Sequence, residues 1–298
     1  MLEFRSMKIE DYSWMKKLQE VSEQTSCEYL PGNIYLWGDF YGTKICRLND
    51  DFFATFSEMR RAYCFPVGDF RNCGKALEIL EKDAKKRGIP LRLYGVLEHN
   101  RQLLEELYQQ QFTFKRNPDL EDYVYNSDDL INLPGKKYHQ KRNHIAAFLR
   151  TRQWEYISIG RDNLDKCADF QEEWYRANMA KNPESLAMEN KVVMSALENF
   201  FALGFTGGVL YADGEVVGFT LGERINRDIF CTHIEKANSE IRGAYPMLNQ
   251  QFAQHALLDY KLINREEDMG DEGLRRAKQS YHPAMQVTKF FGERNAAT

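Results

Sequence analysis

Apolar residues spaced three and four apart alternate along this chain with short β-branched and aromatic runs, and the resulting elements come in one order twice. Ile9, Met15, Leu18 and Val21 give an apolar side to a helix predicted from about Lys8 to Gln24. Thr43 to Leu48 and Phe52 to Phe56 read as strands joined across Asn49-Asp50-Asp51, and Arg61 to Val67 as a third. A helix from Gly74 to Arg87 follows, with Ala76, Leu77, Leu80 and Ala84 inward and Gly88 as its stop. Leu91 to Val96 is a buried strand, Asn100 to Gln110 a helix, and Gln111 to Phe114 a strand.

The second series opens with a helix from Lys136 to Arg152, a strand at Trp154 to Ile159, and helices at Leu164 to Ala180 and Asn190 to Leu203. Thr206 to Tyr211 and Glu215 to Gly222 form a hairpin across Asp213-Gly214, a type I′ pair because both residues tolerate positive φ. Ile229 to Glu235 is the third strand, Tyr245 to Leu258 a helix, and Lys261 to Asn264 a buried strand. Glu272 to Gln279 is a helix and Met285 to Phe291 a closing strand. Asn132, Pro134 and Gly135 break the periodicity, which puts a hinge between Asp128 and Gly135 and divides the chain into residues 1–130 and 135–298. The expected class is α/β, with a mixed sheet in each half.

With 298 residues, 43% hydrophobic and 28% charged, the chain can bury two full cores, and no disordered or fibrous class fits it. A formal charge of −4 excludes a global polyanion binder, so any nucleic-acid contact has to come from a local patch. No run approaches the ~20 apolar residues of a membrane span, and Met1 to Asp11 is no export signal, so a cytoplasmic protein is expected. The six cysteines show no C-x-x-C pair and read as reduced thiols. His139 and His144 stand five apart, not four, and no metal is expected.

Three segments carry candidate chemistry. From Leu130 to Trp154 there is no acidic residue, while Lys136, Lys137, Lys141, Arg142, Arg150 and Arg152 are basic. On a helix Lys137, Lys141 and His144 share one side, a pattern that can hold phosphates or be a solvated face. Asn264 to Pro283 follows a buried strand, so Arg265 to Asp268 emerge at a strand's carboxyl end, where α/β sheets build sites. Acyl transfer needs a base and a donor for the developing oxyanion; Glu266, Glu267 and Asp268 offer the first, Arg265, Arg275, Arg276 and Lys278 the second. In the third segment, His233 and Glu235 alternate along a strand and are predicted to face one side, and Arg242-Gly243-Ala244 leads into a helix start that can cradle an anion.

The order of elements resembles two GNAT acyltransferase cores in tandem, as in the Fem-type and lipid-aminoacylating transferases. The motifs sharpen this. Gly135-Lys-Lys…Lys-Arg-Asn143, the Asp213 to Arg224 hairpin, His233-Ile-Glu-Lys-Ala237, Arg242-Gly-Ala-Tyr245 and Asn264 to Pro283 resemble the C-terminal domain family of phosphatidylglycerol lysyltransferase, and above all its soluble relatives. That resemblance implies a transferase moving an aminoacyl or acyl group onto an amine or hydroxyl, with the second half holding the site. Glu240 and Tyr245 stand where a coenzyme A loop needs small or basic residues, which favours aminoacyl-tRNA over acyl-CoA as donor. No resident cofactor is expected. His233 or Glu235 is the expected base, and Arg265 or Lys278 steadies the oxyanion. Lys136, Lys137, Lys141, Arg142, Arg242, Asn264 and Tyr281 are expected on donor or acceptor, so tRNA and a small-molecule or lipid-headgroup acceptor are the expected partners. An acyl-CoA N-acyltransferase and a non-catalytic ligand- or RNA-binding module are the alternatives.

Overall fold

In the computed structural model, which describes residues 1–295, the helix predicted from Gly74 runs from Cys73–Arg87 and ends where Gly88 turns left-handed at φ 69°. In chain order the elements begin with α1 (Tyr12–Glu20), α2 (Pro31–Trp37), β1 (Thr43–Arg47), β2 (Phe52–Ser57), β3 (Ala62–Cys64) and β4 (Val67–Gly68). Next come α3 (Cys73–Arg87), β5 (Arg92–Val96), α4 (Glu98–Leu107), β6 (Phe112–Arg116), β7 (Asp122–Asn126), α5 (Ser127–Asn132), α6 (His139–Thr151) and β8 (Trp154–Ser158). The rest are α7 (Leu164–Asn178), α8 (Pro183–Glu198), β9 (Thr206–Ala212), β10 (Glu215–Arg224), β11 (Ile229–Ala237) and α9 (Ala244–Ala256). Last come β12 (Leu262–Asn264), α10 (Glu272–Gln279), β13 (Met285–Val287) and β14 (Phe290–Arg294).

Two mixed sheets result. One runs β1-β2-β3-β5-β14-β6 with β4 beside β2, the other β13-β7-β12-β11-β10-β9-β8. Each contains the expected unit: an antiparallel hairpin, a third antiparallel strand, and a helix crossing to a parallel neighbour, β3 to β5 and β11 to β12. Asp213 and Gly214 both take positive φ (55° and 89°), the type I′ turn the hairpin sequence required.

The halves are not consecutive in sequence. Within the described residues the first compact unit comprises 1–122, 267–272 and 286–295, the second 123–266 and 273–285. The expected division at residues 130 to 135 therefore gives way to one at Asp122/Tyr123, with two later segments returning to the first unit. The reason lies in the strands. The predicted closing strand Met285 to Phe291 breaks in two: β13 edges the second sheet, whereas β14 lies between β5 and β6 of the first. β7, which the periodicity did not indicate, lies between β12 and β13 of the second sheet. α2 and α5 were likewise not indicated; α2 is a short helix opened by Pro31 at its first position.

Phe52, Phe53, Tyr63, Phe65, Leu77 and Leu93 anchor the first core. In the second, α9 is buried nearly all round: Met247, Leu248 and Phe252 join Tyr125, Phe148, Phe230 and Ile263. Gly243 makes its approach possible, since it takes φ 91° and a Cβ there would stand 2.3 Å from the His144 carbonyl oxygen.

Candidate functional site

The second sheet opens where β11 and β12 part. Their parallel pairing covers only Ile229↔Leu262 to Cys231↔Asn264, after which β11 runs on to Ala237 beside β10. The chain beyond β12 stays with β7 instead: Arg265 N–H donates to Tyr123 O at 2.9 Å, and Tyr123 N–H to Glu266 O at 3.0 Å. Two parallel strands thus diverge, and side chains rather than backbone bridge the gap.

Glu235, on the free stretch of β11, is the bridge. Arg265 Nη2 donates to both of its oxygens at 3.0 and 3.1 Å, and Asn249 Nδ2, from α9, donates to Oε2 at 3.1 Å. The ion pair is withdrawn from water, its side chains 12% and 13% exposed. Tyr281 and Tyr125 face the guanidinium at 4.8 and 5.5 Å. Lys141 of α6 brings its ammonium to 3.9 Å from the same Tyr281 ring. Burial, then the Arg265 charge, pushes the Lys141 pKa down to about 8, with Glu235 pulling the other way. Two polar atoms here are left without a hydrogen-bond partner, Arg265 Nη1 and Asn249 Oδ1. Each is open to a hydrogen bond from water or from another molecule.

His233 does not join this group. The β10–β11 register slips at Leu221/Gly222, pairing Leu221 with Ile234 and Gly222 with Thr232, so His233 is a bulged residue and strict alternation with Glu235 is lost. Its Nδ1 lies 2.7 Å from Glu266 Oε1 and its Nε2 3.3 Å from Glu223 Oε1. Burial opposes its charge, but Cys231, Glu223 and Glu266 outweigh burial and hold its pKa well above the usual value. An imidazolium clasped by two carboxylates is a poor proton acceptor, which counts against the expected role as base.

Other predicted residues are placed differently again. Lys278 is 8% exposed, and its ammonium donates to the carbonyls of Arg265 (2.5 Å) and Glu266 (3.1 Å). It shapes the loop that carries Arg265 and is not aimed at an oxyanion. Asn264 is fully buried; its Oδ1 accepts the Glu266 N–H at 2.8 Å and sets the same loop. On the basic segment only Lys141 reaches the cluster. Lys136 is exposed, Lys137 pairs with Asp129 at 3.3 Å, and Arg142 caps the carbonyls of Leu133 and Gly135. Arg242 is exposed beside His144, and Arg152 pairs with Asp213. The acids that compensate this segment come from outside it, which the sequence interval alone concealed. Nothing in the sequence assigned a role to Asn249 or Tyr125, and Glu223 stood only within the Asp213 to Arg224 motif.

The equivalent parallel pair of the first unit is closed by its own chain. Tyr29 OH donates to Gly95 O at 2.7 Å, and a Cβ on Gly95 would come 2.7 Å from Glu28 Oε2. A surface hollow of about 570 Å³ along β8, lined by Trp154, Lys166 and Tyr211, takes in none of these residues. The second unit's strand divergence is therefore the candidate site.

The fold is thus a GNAT-like α/β architecture built twice. Residues 19–291 match the family described as phosphatidylglycerol lysyltransferase, C-terminal, and the chain belongs to that family. A conserved protein of unknown function from Bacteroides thetaiotaomicron is similar over 99% of this chain and 100% of its own, with 35% identity and a TM-score of 0.91. The C-terminal domain of a putative lysylphosphatidylglycerol synthetase from Agrobacterium fabrum covers 96% of this chain and 92% of that one, with a TM-score of 0.68 and 13% identity. FemX, at 9% identity and TM-score 0.63 over 97% of each chain, shares the fold. An uncharacterised protein of Mycoplasmoides gallisepticum is 25% identical over 176 residues, which are 57% of this chain and 54% of that one. The chain therefore spans about half the length of this curated relative. Among the described residues no helix is long and apolar enough to cross a membrane.

Proposed function

We propose that the second unit transfers an aminoacyl group from an aminoacyl-tRNA ester to an amine or hydroxyl acceptor. The observation that carries this reading is the buried Glu235–Arg265–Asn249 group at the strand divergence, with one donor and one acceptor unsatisfied and an ammonium of lowered pKa alongside. Arg265 Nη1 is the donor for the ester carbonyl oxygen as it gains charge, and Asn249 Oδ1 the acceptor for the amino acid's ammonium. Glu235, its oxygens already occupied, fixes the guanidinium and takes no proton; the acceptor's proton passes, directly or through water, to the ribose oxygen that departs as the ester C–O bond breaks. Lys141 pairs with an anionic oxygen of the donor or acceptor, which restores the favourable surroundings its charge lacks.

The loop before α9 supports an ester donor over coenzyme A. Three of its backbone donors are engaged within the loop itself: Glu240 N–H on Asn238 Oδ1 at 2.9 Å, Ile241 N–H on Asn238 O and Ala244 N–H on Ile241 O. Those three are withdrawn from any diphosphate, and acidic Glu240 stands among them. Family membership points the same way.

A screen of purified protein against labelled aminoacyl-tRNAs and acyl-CoAs, with phosphatidylglycerol vesicles and small amines as acceptors, tests the reading. Transfer from an aminoacyl-tRNA supports it; transfer from acyl-CoA alone replaces it with the N-acyltransferase, and retention of ligand without transfer with the binding module. The role of Lys141 predicts a pH signature. A pKa near 8 makes kcat/KM fall as pH rises through about 8, because the ammonium is lost. Lys141→Arg, charged at every accessible pH, should flatten that limb; a limb unchanged in the variant assigns it to another group.

A further inference from the structure

We propose that Cys231, His233 and Glu266 form a binding site for a divalent transition-metal ion of the zinc class, with Glu223 orienting the histidine. One sulfur, one imidazole nitrogen and one carboxylate oxygen converge with all pairs within 4.8 Å. Cys231 Sγ lies 3.8 Å from both His233 Nδ1 and Glu266 Oε1, and those two lie 2.7 Å apart. Tetrahedral bonds of about 2.0–2.3 Å require ligand separations of roughly 3.3–3.6 Å, so only the nitrogen–oxygen pair has to open, by about half an ångström or a little more. A thiolate, an imidazole and a carboxylate together suit zinc or cobalt, not the all-oxygen shells of calcium or magnesium.

The surroundings fit the same purpose. When Nδ1 faces a metal, Nε2 must carry the proton, and Glu223 Oε1 waits 3.3 Å away to accept it. That carboxylate–histidine pairing behind a ligand fixes tautomer and ring orientation. Glu266 is held in place by a left-handed backbone (φ 58°) and by Asn264, whose Oδ1 accepts its N–H. Cys231 and His233 themselves are withdrawn from water, at 0% and 3% exposed. A second Cys–carboxylate group, Cys27, Asp122 and Glu267 in the first unit, shows the contrast. There the Lys289 ammonium already sits 2.6 Å from Asp122 and 3.8 Å from Cys27 Sγ, where a metal would have to be. In the His233 group Nδ1 faces Glu266 Oε1 directly at 2.7 Å. On binding, the metal ion gains bonds to Sγ, Nδ1 and Oε1, and any proton on the Cys231 thiol or on His233 Nδ1 is released to solvent.

Titration of chelator-treated full-length protein with Co²⁺ tests this directly. The expected result is one equivalent bound, with a thiolate-to-cobalt charge-transfer band and the visible bands of four-coordinate cobalt, both bleached by Zn²⁺. Cys231→Ser should remove the charge-transfer band, and Glu223→Gln should weaken binding about 10- to 100-fold while the spectrum keeps its form. Absence of a charge-transfer band in the wild-type protein at millimolar cobalt overturns the proposal, whatever the variants do. A band of undiminished strength in folded Cys231→Ser also overturns it, by assigning the thiolate elsewhere.

Discussion

Arg265→Lys is expected to leave the second unit folded while lowering aminoacyl transfer about 100- to 1,000-fold. A lysine can keep a cation against Glu235, so the buried carboxylate is not abandoned. It cannot reproduce the fork that places Nη2 on Glu235 and leaves Nη1 free for substrate. Loss of one preorganised donor to a developing oxyanion costs about 2.7–4 kcal/mol in such sites. The fall should appear in kcat with the donor that the screen selects, and urea unfolding should show a far smaller change than Arg265→Ala. That alanine variant strands a carboxylate that is 13% exposed and should lose about 3–5 kcal/mol. A folded Arg265→Lys protein with undiminished kcat would remove Arg265 from the chemistry.

Lys289→Met should cost the first unit about 3–5 kcal/mol at pH 7, the penalty for removing one partner of a buried charged group. Lys289 is 4% exposed, 2.6 Å from fully buried Asp122, 3.6 Å from Glu267 and 3.7 Å from Glu28. Burial opposes its charge, yet Asp122, then Cys27, Glu267 and Glu28, hold its pKa well above the usual lysine value. A raised cation pKa contributes stability that is complete below the unfolded value of about 10.4 and is lost only as pH rises through the folded one. The wild-type contribution is therefore intact at pH 7. In the variant, protonation relieves the stranded carboxylates, so the deficit measured by urea unfolding should shrink between pH 7 and pH 5. A deficit that grows on acidification, or one below 1 kcal/mol, would show that Lys289 does not balance this cluster.

The legible parts of this protein were those written within a few residues. The α3 stripe and its Gly88 stop, the Asp213-Gly214 turn, and the parallel strands after α3 and α9 follow from spacing, capping and turn chemistry. Glu235 was legible as a residue on a β-strand and Arg265 as one at a strand's carboxyl end. Their pairing was not, because nothing local says that β12 leaves β11 after Asn264 to follow β7. His233 was misplaced for a related reason: a bulge arises from the fit between β10 and β11, and alternation along one strand does not reveal it. The basic segment misled through its own length. Lys137 and Arg152 pair with Asp129 and Asp213, while Lys141 turns toward Tyr281.

Sequence alone therefore indicated most of the element types, their repeated order and the family-bearing motifs, since each depends on backbone preferences and side chains only a turn or two apart. Tertiary structure decided the exchange of β7 and β14 between the sheets, the burial of Lys289 with Asp122, and the meeting of Glu235, Arg265, Asn249 and Lys141. Those outcomes are set by which buried charges find partners and which strand edges find neighbours across long stretches of chain, and that competition is resolved only when the whole fold closes.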